Sequence, residues 1–346
     1  MVLLNMHKLF ITGGAGFIGS AFVRLALAEF PDCVITNFDA LTYAGNLDNL
    51  AGLDESRHRF IRGDIADREA VAAALDEGTD AIINFAAESH VDRSIASAHE
   101  FLRTNILGTQ ALLDVARERK VRRFVQISTD EVMGSLPEDE SAFFTESSPL
   151  APNNPYAASK AAAEHLVNAA HHTHGLDTVI TRCGNNYGPR QFPEKFIPLV
   201  LSNALEDQPI PLYGDGRNVR DWIYVDDHCR AVLAVLKRGR AGEVYNIGAR
   251  NERRNIDVAL AILDAHGKPH TLIRHVKDRL GHDRRYALEP LKVERELGWQ
   301  PVETWESGLH KTFRWYADNS AWLKRARSGA YRDYYERQYG TEMSAR

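Results

Sequence analysis

Residues 7–29 read HKLFITGGAGFIGSAFVRLALAE: an apolar strand from Leu9 to Thr12, a glycine-rich turn, and a helix from Ala21 to Glu29. Gly13, Gly16 and Gly19 stand in a G-x-x-G-x-x-G spacing between strand and helix. Glycine there lets the chain turn tightly and lets backbone amides approach a pyrophosphate at the positive end of the helix. Gly13, Gly16, Phe17, Ile18 and Gly19 are therefore expected to hold a dinucleotide. Asp39 ends the next apolar run, 20 residues after Gly19. A carboxylate at that point accepts hydrogen bonds from ribose hydroxyls and repels a ribose 2'-phosphate, so the expected cofactor is NAD and not NADP. Asp39 as a helix cap or turn residue is the alternative.

Outward from this turn the chain alternates short β-branched runs with helical patterns. HKLFITGG, CVITNFD, HRFIRGD, AIINFAA, RFVQIST and DTVITRCGN read as strands. Ala21 to Glu29, Arg68 to Leu75, Asn105 to Arg119 and Tyr156 to His172 read as helices between them. Such alternation builds a parallel sheet covered by helices on both faces, here a Rossmann-type α/β fold with a doubly wound parallel sheet. After Asn185 the rhythm breaks at GPRQFP and PLYGDG, which predicts a smaller C-terminal lobe. The expected division is residues 1–185 for the cofactor domain, with about 221–240 returning to it, and residues 186–346 for the second lobe and a helical tail. The aromatic and basic stretch from Trp305 to Tyr339 has helical spacing and reads as helix packed on the body.

Bulk properties narrow the functional classes. The 346 residues are 44% hydrophobic and 26% charged, ordinary for a globular protein with a large core. A net charge of -5 argues against a dedicated nucleic-acid binder. Cys33, Cys183 and Cys229 have no metal-like spacing and read as core residues of a protein in a reducing compartment. Met1 to Lys8 is too short for a signal peptide, and no apolar run reaches membrane-spanning length. The expectation is a cytoplasmic protein without a metal.

Further cofactor contacts are expected where strands end. Asp64, with Ile65, follows the third strand and can reach the adenine; an ordinary loop carboxylate is the alternative. Ala86 and Ala87 end the fourth strand with side chains small enough for close approach. The fifth strand ends in Ser128, Thr129, Asp130 and Glu131, at the carboxyl edge where open α/β sheets bind ligands. Two adjacent carboxylates can serve as acid and base if their environments separate their pKa values. Tyr156 and Lys160 lie one turn apart on a helix opened by Pro155, and a cation beside a phenol favours the phenolate. Away from a nucleotide site, such a pair is usually a surface pair.

TGGAGFIGS, FDALTYAGN, NFAAESHVDRSI, TDE at 129–131 and YAASK resemble the extended short-chain dehydrogenase/reductases, and among them the dTDP-glucose 4,6-dehydratases. The resemblance continues through RCGNNYGPRQFPEKFIPL, PLYGDGRNVRDWIYVDDH, YNIG and GHDRRYA, to about residue 300. It implies a nucleoside-diphosphate hexose as substrate and a tightly held NAD. Tyr156 with Lys160 would take the 4-hydroxyl proton as hydride leaves carbon 4. Glu131 would take the carbon-5 proton, Asp130 would protonate the departing 6-hydroxyl, and Thr129 would orient the oxygen on carbon 4. Ser128 would face the cofactor. Glu88, Asn185, Lys195, Tyr213, Arg220, Asn255 and His282 would hold the substrate, with Lys195 and Arg220 on its phosphates. The family also suggests a homodimer built from the helices near Tyr156. Met133 stands where the pattern has Tyr, which implies a lost aromatic contact near the sugar, and Leu280 replaces a common Pro.

Two rival functions share this fold. A nucleotide-sugar 4-epimerase would keep Tyr156, Lys160 and NAD but has no need of Asp130 and Glu131. A non-catalytic NAD-binding protein would need none of the reactive set.

Overall fold

A computed structural model describes residues 6–138, 141–328, 335 and 337–339. The reading of Met1 to Lys8 and the far end of the tail beyond residue 328 fall largely outside them. The chain runs β1 Lys8–Thr12, α1 Phe17–Glu29, β2 Val34–Asp39, β3 His58–Arg62, α2 Arg68–Ala74, β4 Ala81–Asn84, α3 Val91–Ala96, α4 His99–Phe101, α5 Thr109–Glu118 and β5 Arg123–Thr129. It continues with α6 Pro155–His174, β6 Thr178–Cys183, β7 Asn185–Tyr187, α7 Phe196–Leu205, β8 Ile210–Tyr213, β9 Val219–Tyr224, α8 Val225–Arg238 and β10 Val244–Ile247. β11 Glu252–Arg254, α9 Asn255–Ala265, β12 Ile273–Val276, α10 Leu291–Leu297, α11 Trp305–Asp318 and α12 Ser320–Ala326 complete it.

All six strands read from the sequence are present and, with β10, form one parallel seven-stranded sheet in the order β10-β6-β5-β4-β1-β2-β3. Their near-continuous apolar character has a simple cause: both faces are covered. Leu9, Ile11, Ile35 and Ile83 pack with α1, α8 and α10 on one side. Phe10, Phe38, Ile82 and Phe124 pack with α2, α5 and α6 on the other. Strand order reverses between β1 and β4, and the carboxyl ends of the strands diverge there into a crevice.

The second lobe gathers a three-stranded sheet, β11-β9-β7, a two-stranded sheet, β12-β8, and helices α7, α9, α11 and α12 around a separate aromatic core. β9 joins this small sheet, whereas α8 directly after it packs on α1 beneath the main sheet. Trp305, Tyr316 and Trp322 bind α11 and α12 to that aromatic core, so this part of the tail is helix packed on the body.

Two helix starts differ from the sequence reading. α1 begins at Phe17 rather than Ala21, because Gly16 is extended and ends the turn there. The helix expected from Asn105 opens with a π-helical stretch, Leu102–Gly108. There Asn105 is tied to the backbone of Glu88 and to Ser159, and Thr109 Oγ1 donates to the Asn105 carbonyl at 2.7 Å, which displaces the regular ladder. By contrast α6 is conventionally bounded: Asn154 accepts from Ala157 N–H, Pro155 opens the first turn, and Gly175 takes the left-handed conformation at the end.

Candidate active site

The crevice holds a cavity of about 350 Å³. Gly13, Gly16, Phe17, Ile18, Gly19, Asp39, Asp64, Ile65, Ala86 and Ala87 line one end. Glu88, Ser128, Thr129, Asp130, Glu131, Tyr156, Lys160, Asn185 and Lys195 line the other. Sequence-distant groups thus meet in one place because the parallel strands deliver their carboxyl ends to the same edge.

At the glycine end, Gly13 has φ of 68° and a Cβ there would sit 2.6 Å from Ala86 N, so only glycine fits between β1 and β4. A Cβ on Gly19 would meet the Gly13 carbonyl at 2.2 Å. No side chain caps α1 and no carboxylate sits in its first turn. The first-turn amides have no partner within the helix, an arrangement suited to a pyrophosphate. Asp39 lines the cavity, and its carboxylate is engaged in the turn, accepting from Ala15 N–H at 2.9 Å and Leu41 N–H at 2.8 Å. Asp64 pairs with Arg103 at 2.5 Å on the cavity wall, a partner the sequence did not indicate.

At the reacting end, Thr129 Oγ1 donates to Asp130 at 3.1 Å and accepts the Glu131 amide at 3.3 Å, closing the end of β5. Asp130 is buried, and its second carboxylate oxygen, like the Ser128 hydroxyl, has no partner among the described residues. Burial, with the Glu131 charge beside it, pushes the Asp130 carboxyl well above the ordinary range. Burial raises Glu131 too, but the cations of Arg220, Arg279 and Lys195 oppose the rise. The rise is larger for Asp130 than for Glu131, which suits Asp130 to the role of acid and Glu131 to that of base.

Tyr156 and Lys160 both face this cavity, yet their electrostatics differ from the sequence expectation. Burial and the carboxylates of Glu131 and Asp130 push the Tyr156 phenol well above 10, opposed by the neighbouring Thr129 hydroxyl. Lys160 donates to the Ile127 carbonyl at 2.6 Å, and burial lowers its ammonium to about 8. In the protein alone the lysine is therefore fixed to strand β5 and the phenol stays protonated.

The substrate-side expectations separate. Lys195 donates to the Ser89 carbonyl at 3.0 Å on the cavity wall. Arg220 lies over the Tyr286 ring at 4.3 Å and its charge acts on Asp130 and Glu131. Tyr213 and His282 pack edge to face at 6.0 Å just beyond. Asn255 stays apart: it starts α9, and its amide bonds to the Asn218 carbonyl.

Several neighbours went unread. Arg279 bridges to Asp92 at 2.6 Å and stacks on Tyr213 at 4.9 Å. Glu194, with a fully buried side chain, receives Arg93, which lies 3.8 Å over the Tyr43 ring. Arg93 and His90 adjoin the cavity through Glu194, which lines it. Cys183 is buried as expected but also lines the cavity, its thiol pushed up to about 12 by burial and by Asp130. Met133 points elsewhere: it is buried with Phe144 and Tyr286, and its sulfur accepts from Arg182 at 3.5 Å. Its side chain is not among those that line the cavity.

Comparison with known proteins now has a site to stand on. The family model of GDP-mannose 4,6 dehydratase matches residues 10–312. A dTDP-glucose 4,6-dehydratase of Xanthomonas campestris is 50% identical, over 93% of this chain and 96% of its own. The dTDP-glucose 4,6-dehydratase DesIV of Streptomyces venezuelae, solved with NAD and dTDP bound, is 52% identical with a TM-score of 0.89, over 92% of this chain and 99% of its own. A Thermus thermophilus UDP-glucose 4-epimerase, solved with NAD, shares the fold at a TM-score of 0.84 and 31% identity, over 90% and 99%. A carboxylate pair at the end of β5, beside Tyr156 and Lys160 over a glycine turn, is thus set in a chain that belongs to the dTDP-glucose 4,6-dehydratases of the extended short-chain dehydrogenase/reductase family.

Proposed function

We propose that this protein removes water from dTDP-glucose to give dTDP-4-keto-6-deoxyglucose, as an NAD-dependent hydro-lyase. The observation that carries the reading is the Asp130/Glu131 pair at the end of β5, set in the same cavity as Tyr156 and Lys160. A 4-epimerase has no work for that pair.

NAD fits the residues present. The uncapped start of α1, the glycine-lined turn, Asp39 and the unpartnered Ser128 hydroxyl form a cradle for a dinucleotide running toward Tyr156. When bound, NAD supplies a hydride acceptor that is restored within the turnover. Lys160, anchored on Ile127, fixes that end of the site and brings a positive charge near the phenol when protonated. Tyr156 would take the 4-hydroxyl proton as the phenolate, a form that the Lys160 ammonium and the positive charge of bound NAD would favour over the phenol of the protein alone, with Thr129 holding the same oxygen. The ketone so formed acidifies carbon 5. Glu131, whose charge Arg220, Arg279 and Lys195 favour, removes that proton as the carboxylate, and Asp130, whose burial favours the acid form, gives its proton to the departing 6-hydroxyl. Lys195 and Arg220 are suited to the diphosphate, and Tyr213, His282 and Arg279 to the nucleoside end.

The division into a cofactor domain over residues 1–185, with about 221–240 returning to it, and a substrate lobe after it is kept as part of the reading, with β10 and α10 added to the returning segments because they pack in the cofactor-side core. A homodimer through α5 and α6 belongs to it as well. Leu102 and Leu107, just before α5, are 48% and 62% exposed, an apolar edge that a second copy would cover. No helix among the described residues is long and apolar enough to cross a membrane. The three unpaired cysteines support placement in the reducing cytoplasm.

Incubating the purified protein with dTDP-glucose or UDP-glucose, without added NAD, tests the reading. Loss of one water from dTDP-glucose is the expected result. An isomer of unchanged mass contradicts dehydration, and water loss from UDP-glucose alone contradicts the assigned nucleotide.

A further inference from the structure

Asp92, in the first turn of α3, belongs to the stretch after β4 that the dehydration reading leaves without a task. Its side chain is only 8% exposed, and its partners come from the other lobe. Arg279 Nε donates to Oδ1 at 2.6 Å and Nη2 to Oδ2 at 2.9 Å, a two-pronged pair between residues 187 apart in sequence. The Tyr213 hydroxyl lies 3.1 Å from Oδ2 and 3.2 Å from the Tyr339 hydroxyl, and it accepts from the Gln338 amide at 2.9 Å. That hydroxyl has a single proton to give, and the carboxylate is the stronger of its two acceptors.

The fold explains the gathering. β12 pairs with β8 in a register that sets Val276 against Tyr213, so Arg279, just beyond the end of β12, arrives over the Tyr213 ring at 4.9 Å. α3 comes from the cofactor side, where it packs on α6 and where Ser94 Oγ accepts the Tyr156 N–H at 3.2 Å. One short helix is thus bonded at Ser94 to the backbone of the reacting tyrosine and at Asp92 to two residues of the second lobe.

A guanidinium is a planar fork of N–H donors with fixed directions. Asp92 occupies the edge formed by Nε and Nη2, whereas Nη1 donates to no described residue. The remaining edge is therefore fixed in direction and left for a ligand, and the Arg279 charge is held where it acts on Glu131. We infer that Asp92 is a positioning residue: it clasps Arg279 and Tyr213 to the helix bonded to Tyr156, and so sets a nucleoside diphosphate in register with the reacting groups. This rests on the dehydration reading, in which Arg279 and Tyr213 meet the nucleotide.

Binding of dTDP to the NAD-containing protein, followed by calorimetry, tests the clasp without turnover. Asp92→Asn keeps the shape of the side chain but gives up its charge and one acceptor oxygen, and it should weaken dTDP binding by about tenfold or more, the weight of a charge-assisted pair. In an Arg279→Met background the same substitution should cost much less, under about threefold, because the clasp has already lost its main member. Asp92→Glu, which keeps the charge, should bind dTDP with an affinity between those of the wild type and the asparagine variant, and it serves in the same comparison where the asparagine variant does not fold. Unchanged affinity in Asp92→Asn, or an equal loss in both backgrounds, overturns the proposal and leaves the dehydration reading intact. Wild-type protein that binds no dTDP overturns the nucleotide assignment and the clasp together.

Discussion

Asp130 and Glu131 are consecutive residues of the same chemical type, yet they meet opposite surroundings. Asp130 looks into the protein, where burial and a neighbouring carboxylate favour its protonated form. Glu131 looks toward Arg220, Arg279 and Lys195. Glu131→Gln should therefore keep bound NAD and lower water loss by roughly 10²–10⁴-fold, the usual weight of a general base. Turnover and NAD content of the purified variant are the measurements, and unchanged turnover would remove Glu131 from its assigned role. The triplet was legible because all its members lie in sequence at one strand end. The Arg279–Asp92 and Arg93–Glu194 pairs were not, since their partners are 187 and 101 residues apart and only the folded sheets bring them together. The expected help of Lys160 to Tyr156 was legible as a spacing, but the lysine's bond to Ile127 and its fall to about 8 depend on a burial that spacing does not carry.

Among the elements, α1 and its turn carry the sharpest contrast. A methyl group on Gly19 would lie 2.2 Å from the Gly13 carbonyl, whereas one on Gly16 would lie 3.2 Å away and otherwise face open space. Gly19→Ala should destabilise the fold by about 1–3 kcal/mol through overpacking, and Gly16→Ala should mainly cost NAD. Urea unfolding alongside NAD content of the purified variants separates the two effects. Helix α8 makes a different demand. His228 is fully buried with neither ring nitrogen bonded to a described residue, and burial holds it to about 3, below its ordinary 6.5. The unfolded chain takes up that proton first, so the stability His228 allows is complete above pH 6.5 and is lost as pH falls toward 3. Between pH 7 and pH 5, His228→Leu should lose about 2 kcal/mol less than the wild type in urea unfolding. An equal loss would show that His228 does not carry this sensitivity. His282, lowered to about 4, contributes with the same sign and remains in the variant. The six strands of the main sheet were legible because burial on both faces demands unbroken apolar runs. The strands of the second lobe, three to six residues long between turns, were not, and neither was the π-helical opening before α5, which arises from the contacts of Asn105.

At the scale of the molecule, a parallel sheet carries the glycine turn, Asp39 and the TDE triplet to one crevice, α6 adds Tyr156, and the part of the chain after β7 brings the charges of Arg220 and Arg279 to bear on Glu131. The alternation of strand and helix made the first part readable from the chain alone. The second part depends on aromatic packing among α7, α9, α11 and α12, which sequence spacing does not specify. If α5 and α6 form the dimer contact, Leu107→Glu should shift the mass measured by light scattering toward the monomer; an unchanged mass would place any association elsewhere. The claim that binds residues, elements and lobes together is that Glu131 breaks the bond between carbon 5 and its hydrogen, with water leaving from carbon 6. Turnover of dTDP-glucose in D2O reads that step directly. The account predicts a product that has lost one water and carries one solvent deuterium at carbon 5; an isomer of dTDP-glucose, or a dehydrated product with no deuterium at that carbon, would contradict it.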